Sequence, residues 1–133
     1  MNLEDIKSYK DACKIINRKP RRYKDNHINI YEQLSTITAA VNYIETGTQW
    51  KHIVKPNNKF YEIYYWKTFS THSNYKSDKG LFRLSSFSGV GGSYARIGSH
   101  LRFATKRGAE YVETTFEILL RQWFDPDSIN WYF

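Results

Sequence analysis

The sequence predicts an α+β fold with two N-terminal helices, a 3-5 stranded antiparallel meander, and one C-terminal helix packed on the sheet. Three observations lead to this prediction. Apolar residues recur at helical spacing up to Thr46, β-forming residues concentrate between Trp50 and Phe103, and helical spacing returns between Thr105 and Gln122. Because 133 residues fit one domain of ordinary size, we expect residues 1–133 to form a single domain.

The two N-terminal helices follow from apolar residues spaced three or four positions apart. Asn2 can cap the first helix, which Pro20 stops, and its apolar face comprises Ile6, Tyr9, Cys13 and Ile16. The position of Cys13 on this face predicts a buried thiol. The second helix runs from about Asn29 to Thr46 with Gly47 as its C′ residue, and its apolar face comprises Leu34, Ile37, Val41 and Ile44.

The meander is predicted from runs of β-branched and aromatic residues separated by turn residues. The runs lie at residues 50–53, 60–69, 81–87 and 94–103, with turns at 56–58, 73–74, 78–80 and 88–93. In the last run, alternation would place Ile97, Leu101 and Phe103 inward, and Arg96, His100 and Arg102 on the opposite face.

The last helix is expected from Thr105, a plausible cap, to Gln122, before Asp125-Pro126. Its apolar face comprises Ala109, Val112, Phe116, Leu119, Leu120 and Trp123. The tail that follows is strongly apolar, so we expect it to dock on the body of the domain or on a neighbour. Its interface candidates are Trp131, Tyr132 and Phe133.

Positive charge is the clearest functional signal. The chain has 20 Lys and Arg against 13 Asp and Glu, for a net charge of +7, which favours anionic partners such as nucleic acid. A linker cluster comprises Arg18, Lys19, Arg21, Arg22 and Lys24, and a junction cluster comprises Arg96, His100, Arg102, Lys106 and Arg107. Cations in the first turn of the last helix oppose its dipole, so we expect an anion nearby. A solvated basic surface without a partner is the alternative.

Motifs for catalysis are missing. The four histidines lie at least 20 residues apart, and the glycines at 89–92 lack the Lys of a phosphate loop. Glu110, Glu113 and Glu117 share one edge of the last helix, where Glu117 and Arg121 are spaced for an ion pair, so we expect a solvated face. The sequence therefore predicts a binding protein with no catalytic residues, no metal and no cofactor.

Location follows by elimination. The single cysteine excludes an internal disulfide. No stretch approaches the ~20 apolar residues of a membrane span, and the first residues do not have the pattern of a signal peptide. We expect the protein in a virion or in the host cytoplasm, with no membrane partner.

One stretch of the chain is similar to a known group of sequences. The run from Ile97 to Val112 resembles a C-terminal signature of small, uncharacterised proteins of Bacteroidales phages and prophages, including crAss-like phages. There a Gly-Ser-Arg-Leu strand leads into a helix containing Ala-Glu-Tyr, as residues 98–101 precede residues 109–111 here. Trp50-Lys51 and residues 11–14 and 60–69 are also similar. The chain departs from the pattern at His100, where the family has Arg, and at Arg102, where it has a small residue or Cys.

The resemblance implies a phage origin, and with the basic clusters it leads to two expectations. The first is a non-enzymatic, virion-associated structural protein, namely a capsid or head accessory. Such a protein would bind neighbouring phage subunits and could form an oligomer within the assembly. The second is an intracellular phage protein that binds nucleic acid or nucleotides, including in counter-defence, through its basic clusters with aromatic side chains as stacking surfaces.

Overall fold

A computed structural model describes residues 1–50, 59–66, 81–88 and 101–124 of the chain. These residues form four α-helices and one antiparallel pair of strands. The helices are α1 (Tyr9–Ile15), α2 (Asn26–Thr46), α3 (Lys106–Thr115) and α4 (Glu117–Phe124), and the strands are β1 (Lys59–Trp66) and β2 (Leu81–Ser88). A single turn of 3-10 helix, Leu3–Asp5, precedes α1.

The predicted meander of three to five strands is wrong, because the described residues are mostly helical. Their only strands are β1 and β2, paired antiparallel from Lys59 with Ser88 to Trp66 with Leu81. In the last run where a strand was expected, Phe103 makes an isolated bridge to Tyr61 through two backbone hydrogen bonds of 2.8 Å. Residues 94–100 and the predicted turns at 56–58, 73–74, 78–80 and 89–93 lie outside the described residues.

The first helix is shorter than predicted and has other boundaries. The Ser8 hydroxyl accepts a hydrogen bond from Asp11 N and so caps α1, separating it from the 3-10 turn. At the other end Asn17 adopts a left-handed backbone with φ 54°. Arg18 N then donates to Cys13 O at 2.8 Å and Asn17 N to Lys14 O at 3.3 Å, which is a Schellman motif. The motif ends α1 well before Pro20.

The long helix α2 organises the described core. Asp25 caps its start by accepting from Ile28 N, and Gly47 ends it with φ 74°, which confirms the predicted C′ glycine. The helix packs against α1, α3 and α4. Its fully buried apolar side chains are Leu34, Ile37, Ala40 and Val41, and Cys13 of α1 is buried as predicted.

The predicted last helix is two helices. Thr105 caps α3 by accepting from Gly108 N at 3.0 Å, as expected. The helix then ends at Thr115, with Phe116 at φ −115° and ψ 35°, before α4 begins at Glu117. The Thr114 hydroxyl bonds the carbonyls of Glu110 and Tyr111, an interaction that bends helices. Phe116 at the break and Leu120 in α4 both lie in the core.

Candidate anion-binding cleft

A buried carboxylate fixes the start of the basic linker between α1 and α2. Glu32 on α2 is 7% exposed. Its Oε2 accepts from the Arg18 guanidinium at 3.1 Å, and its Oε1 accepts from the Tyr9 hydroxyl at 3.2 Å. Burial raises the pKa of Tyr9 to about 12, so the phenol stays protonated and able to donate at neutral pH. Arg18 is therefore an internal ion-pair partner within the linker cluster.

Two further contacts hold the linker backbone. Arg21 N donates to the Tyr9 hydroxyl at 2.9 Å. The Asn29 amide contacts both backbone groups of Tyr23: its Oδ1 accepts from Tyr23 N, and its Nδ2 donates to Tyr23 O. These bonds connect the linker to α1 on one side and to α2 on the other, so its side chains project from a defined backbone.

The remaining linker cations face solvent. Lys19, Arg21, Arg22 and Lys24 are all exposed, and within the described part of the chain none of them forms an ion pair. The side chain of Tyr23, and then the charge of Glu32, raise the pKa of Arg21. The linker thus presents four exposed positive charges over a short length of chain, and none of them is in an ion pair among the described residues.

Beside the linker lies an open cleft of about 520 Å³. Its cations are Lys10, Arg21 and Arg22, and no carboxylate lines it among the described residues. The other lining residues are Tyr9, Pro20, Asn26, Asn29, Ile30, Gln33 and Gln122. The cleft therefore combines positive charge at the linker with amide side chains from α2 and α4.

A stacked pair of aromatic rings connects α2 to α4. Its two residues directly follow Asn26 and Gln122, which line the cleft. The His27 ring stacks on Trp123, with centroids 4.4 Å apart and an interplanar angle of 15°. Tyr31 meets the same indole at 5.7 Å. His27 is exposed, and the nearby Tyr23 ring on the linker is 37% exposed. Aromatic surface is thus available beside the cations.

The described junction residues have partners within the protein. Glu45 at the end of α2 accepts from Arg107 Nε at 2.9 Å and from its terminal NH₂ group at 2.5 Å, and from the Thr105 hydroxyl at 2.9 Å. The hydrogen bond from Arg107 holds the pKa of Glu45 below its usual value. Lys106 pairs with Glu110 at 3.7 Å. Glu45 thus supplies a carboxylate at the start of this helix, where the sequence led us to expect an anion-binding site.

Arg102, expected on an outer strand face, is instead 7% exposed. Its guanidinium carbon lies 4.3 Å from the centre of the Phe60 ring. Its backbone carbonyl accepts from the Asn42 amide at 2.9 Å, and the same amide accepts from Ala104 N. Arg96 and His100 lie outside the described residues, as do Trp131, Tyr132 and Phe133.

The glutamates of the last two helices form no described metal site. The predicted pair of Glu117 and Arg121 is confirmed at 2.9 Å. Partial burial, together with Glu110 and Glu117, raises the pKa of Glu113. In the ranges that the structure describes, no three His, Cys, Asp or Glu side chains are grouped to hold a metal ion. No helix there has the length and apolarity needed to cross a bilayer.

Sequence reasoning found the linker cations but missed the residues that complete the cleft. These are Lys10, Asn26, Gln33 and Gln122. Asn26, Asn29, Ile30 and Gln33 share helical spacing, so a polar face at the start of α2 was detectable from the sequence. The contribution of Gln122 comes from a helix remote in sequence. No family model, curated protein or solved structure matches this chain.

Proposed function

We propose that this is a non-enzymatic nucleic-acid-binding protein that holds strand phosphates with its basic linker. The observation that carries the proposal is the set of four exposed cations, Lys19, Arg21, Arg22 and Lys24, without ion pairs in the described chain. Closely spaced positive charges match the regular spacing of backbone phosphates, whose neutralisation releases condensed counterions.

The fixed backbone of the linker strengthens this proposal. Flexible lysines and arginines on a mobile loop would lose conformational entropy when they bind. Here the bonds from Tyr9 and Asn29 already order the backbone at Arg21 and Tyr23. More of the interaction energy with phosphate is then available for affinity.

The aromatic side chains favour a single strand over a duplex. Tyr23 lies within the linker, and His27 presents an exposed ring supported by Trp123. Unpaired bases can stack on such rings, whereas bases inside a duplex are already stacked on each other. The linker therefore suits a strand whose phosphates meet the cations and whose bases reach these rings.

The test is fluorescence anisotropy with labelled single-stranded DNA and RNA of about 15 nucleotides, across a salt series. Four phosphate contacts predict a slope of log K against log salt of about −3, since each contact on a single strand contributes about −0.7. Affinity that does not change with salt, or no binding at low salt, would overturn the proposal.

A virion-associated structural role is the second candidate. Ile118 on α4 is 63% exposed and Ile28 on α2 is 50% exposed, and contact with a neighbouring subunit would bury these apolar side chains. The similarity to phage proteins points the same way. Mass spectrometry of purified virions tests this role: we expect the chain among the virion proteins, and its absence from intact particles would remove the candidate.

A further inference from the structure

We propose that the cleft beside the linker receives a single nucleoside monophosphate unit and reads its base through amide side chains. The inference rests on the proposed function, because it assigns the ligand class of the same surface. The unit is either one unstacked nucleotide of a bound strand or a free nucleotide, since both present the same base and phosphate.

The amides of the cleft carry the base-reading part of the inference. Asn26, Gln33 and Gln122 line the cleft, and none of the three side chains makes a hydrogen bond to the described residues. Asn29 differs, because both ends of its amide are occupied by Tyr23. An amide offers a donor and an acceptor side by side, which is the pattern of a nucleobase edge.

Gln122 is the sharpest of these signals. It is 9% exposed, and its amide makes no hydrogen bond within the described chain. Lining an open cleft, its amide is available to a ligand there. A base with a complementary edge would bond both the donor and the acceptor of the amide, whereas a mismatched base would leave them unpaired, which makes the interaction specific.

The charge and size of the cleft fit the rest of a nucleotide. Lys10 and Arg22 supply positive charge for one phosphate, with no lining carboxylate among the described residues to oppose it. Ile30 also lines the cleft and contributes an apolar side chain to its wall. The volume of about 520 Å³ falls in the range of about 300–1,000 Å³ that is typical of small-ligand sites.

The experiment compares single-stranded homopolymers of each base for binding to the wild type and to Gln122→Leu. The wild type is expected to prefer one base by about tenfold, as base-edge hydrogen bonds provide. Gln122→Leu should remove that preference while its affinity for the least favoured homopolymer stays the same. Gln49→Leu, the same change at an exposed position outside the cleft, should keep the preference. A preference that survives Gln122→Leu overturns the inference.

Gln33→Leu provides a second variant at a half-buried position if Gln122→Leu does not fold, and it should also reduce the base preference.

Competition by nucleoside monophosphates and by inorganic phosphate distinguishes a free nucleotide from a nucleotide of a bound strand. Stronger competition by a monophosphate than by phosphate supports a site that accepts free nucleotides. Binding of oligonucleotides alone, with base preference, supports a strand unit. Salt-dependent binding of every homopolymer with equal affinity overturns the inference and leaves the proposed function standing, whereas no oligonucleotide binding overturns the proposed function.

Discussion

The linker and the junction are both rich in cations, but the structure uses them differently. At the junction, Arg107 pairs with Glu45, Lys106 pairs with Glu110, and Arg102 is buried against Phe60. In the linker, only Arg18 is paired, and the following cations face solvent. Two sequence segments with similar charge thus differ in whether the protein itself supplies the anion.

The difference shows that a partner is better inferred from uncompensated charge than from charge alone. A pair such as Arg107 with Glu45 joins α3 to α2 and leaves little charge for a ligand. Exposed cations that form no ion pair repel one another in the free protein. An external anion relieves that repulsion, so the linker gains more from binding than the junction does.

A matched pair of double variants tests directly whether the linker and junction cations differ in their contribution to oligonucleotide affinity. Arg21→Gln with Arg22→Gln removes two linker charges, and Lys106→Gln with Arg107→Gln removes two junction charges. Oligonucleotide affinity should fall about 25-fold for the linker variant at about 0.1 M salt, with the salt slope reduced by about 1.4. The junction variant should bind nearly as the wild type does. Equal losses in anisotropy titrations would show that the two regions do not differ.

Gly108→Ala tests whether the junction is a packed structural contact. An added Cβ would lie 2.7 Å from Val41 Cγ1, whose residue is fully buried. We expect a loss of about 1.5 kcal/mol in unfolding free energy, because overpacking exceeds the helix-propensity gain of alanine. Urea unfolding measures it, with exposed Thr115→Ala in the same helix as the control. An unchanged midpoint would mean that α3 and α2 can separate without cost.

Glu32→Gln tests how the linker is held. The amide keeps the shape of the side chain, but its nitrogen replaces one of the two accepting oxygens. It therefore cannot accept hydrogen bonds from both Arg18 and Tyr9. Stability should fall by about 1 kcal/mol, and the amide protons of Arg18 and Arg21 should exchange faster. Hydrogen exchange followed by NMR checks both positions. Unaltered protection there would contradict a linker fixed by Glu32.

Glu45→Gln should have the smallest effect on stability. The effect should be seen in how the free energy of unfolding depends on pH. The pKa of Glu45 is lowered in the folded protein, so its contribution is complete above the pKa of the unfolded state and is lost as pH falls through the folded value. Wild-type stability should decline as the pH falls below the unfolded-state pKa, and the variant should decline less, with a loss below about 1 kcal/mol at neutral pH. Glu110→Gln, at the exposed pair with Lys106, is the control. Identical pH profiles for wild type and Glu45→Gln would count against this role.

Features encoded by neighbouring residues could be predicted from the sequence. Gly47 and Thr105 end and begin helices through their own backbone or side chain, and both were identified correctly. The split of the first helix was also local, since Ser8 and Asp11 form a recognisable start signal, but the apolar spacing across Ile6 and Tyr9 outweighed it. The meander failed because β-forming composition does not determine pairing, which depends on contacts distant in sequence.

The candidate site divides in the same way. The exposure of the linker cations could be predicted from the sequence, because Pro20 and five basic residues among residues 18–24 favour an exposed connection. The ion-pair partners of the cations could not be predicted, because Arg18 contacts Glu32 and Arg107 contacts Glu45 only when α2 is packed in the fold. The buried amide of Gln122 required knowledge of where α4 lies relative to α2.

The double hydrogen bond between Asn29 and the Tyr23 backbone also bears on the speed of recognition. A segment that must rearrange before it binds associates more slowly than one that is already in its bound shape. If the linker binds a strand as we propose, it meets that strand with both polar groups of Tyr23 already held by one amide. Encounter is then governed by diffusion and the long-range attraction of opposite charges, and differences among ligands arise mainly in how long each stays bound.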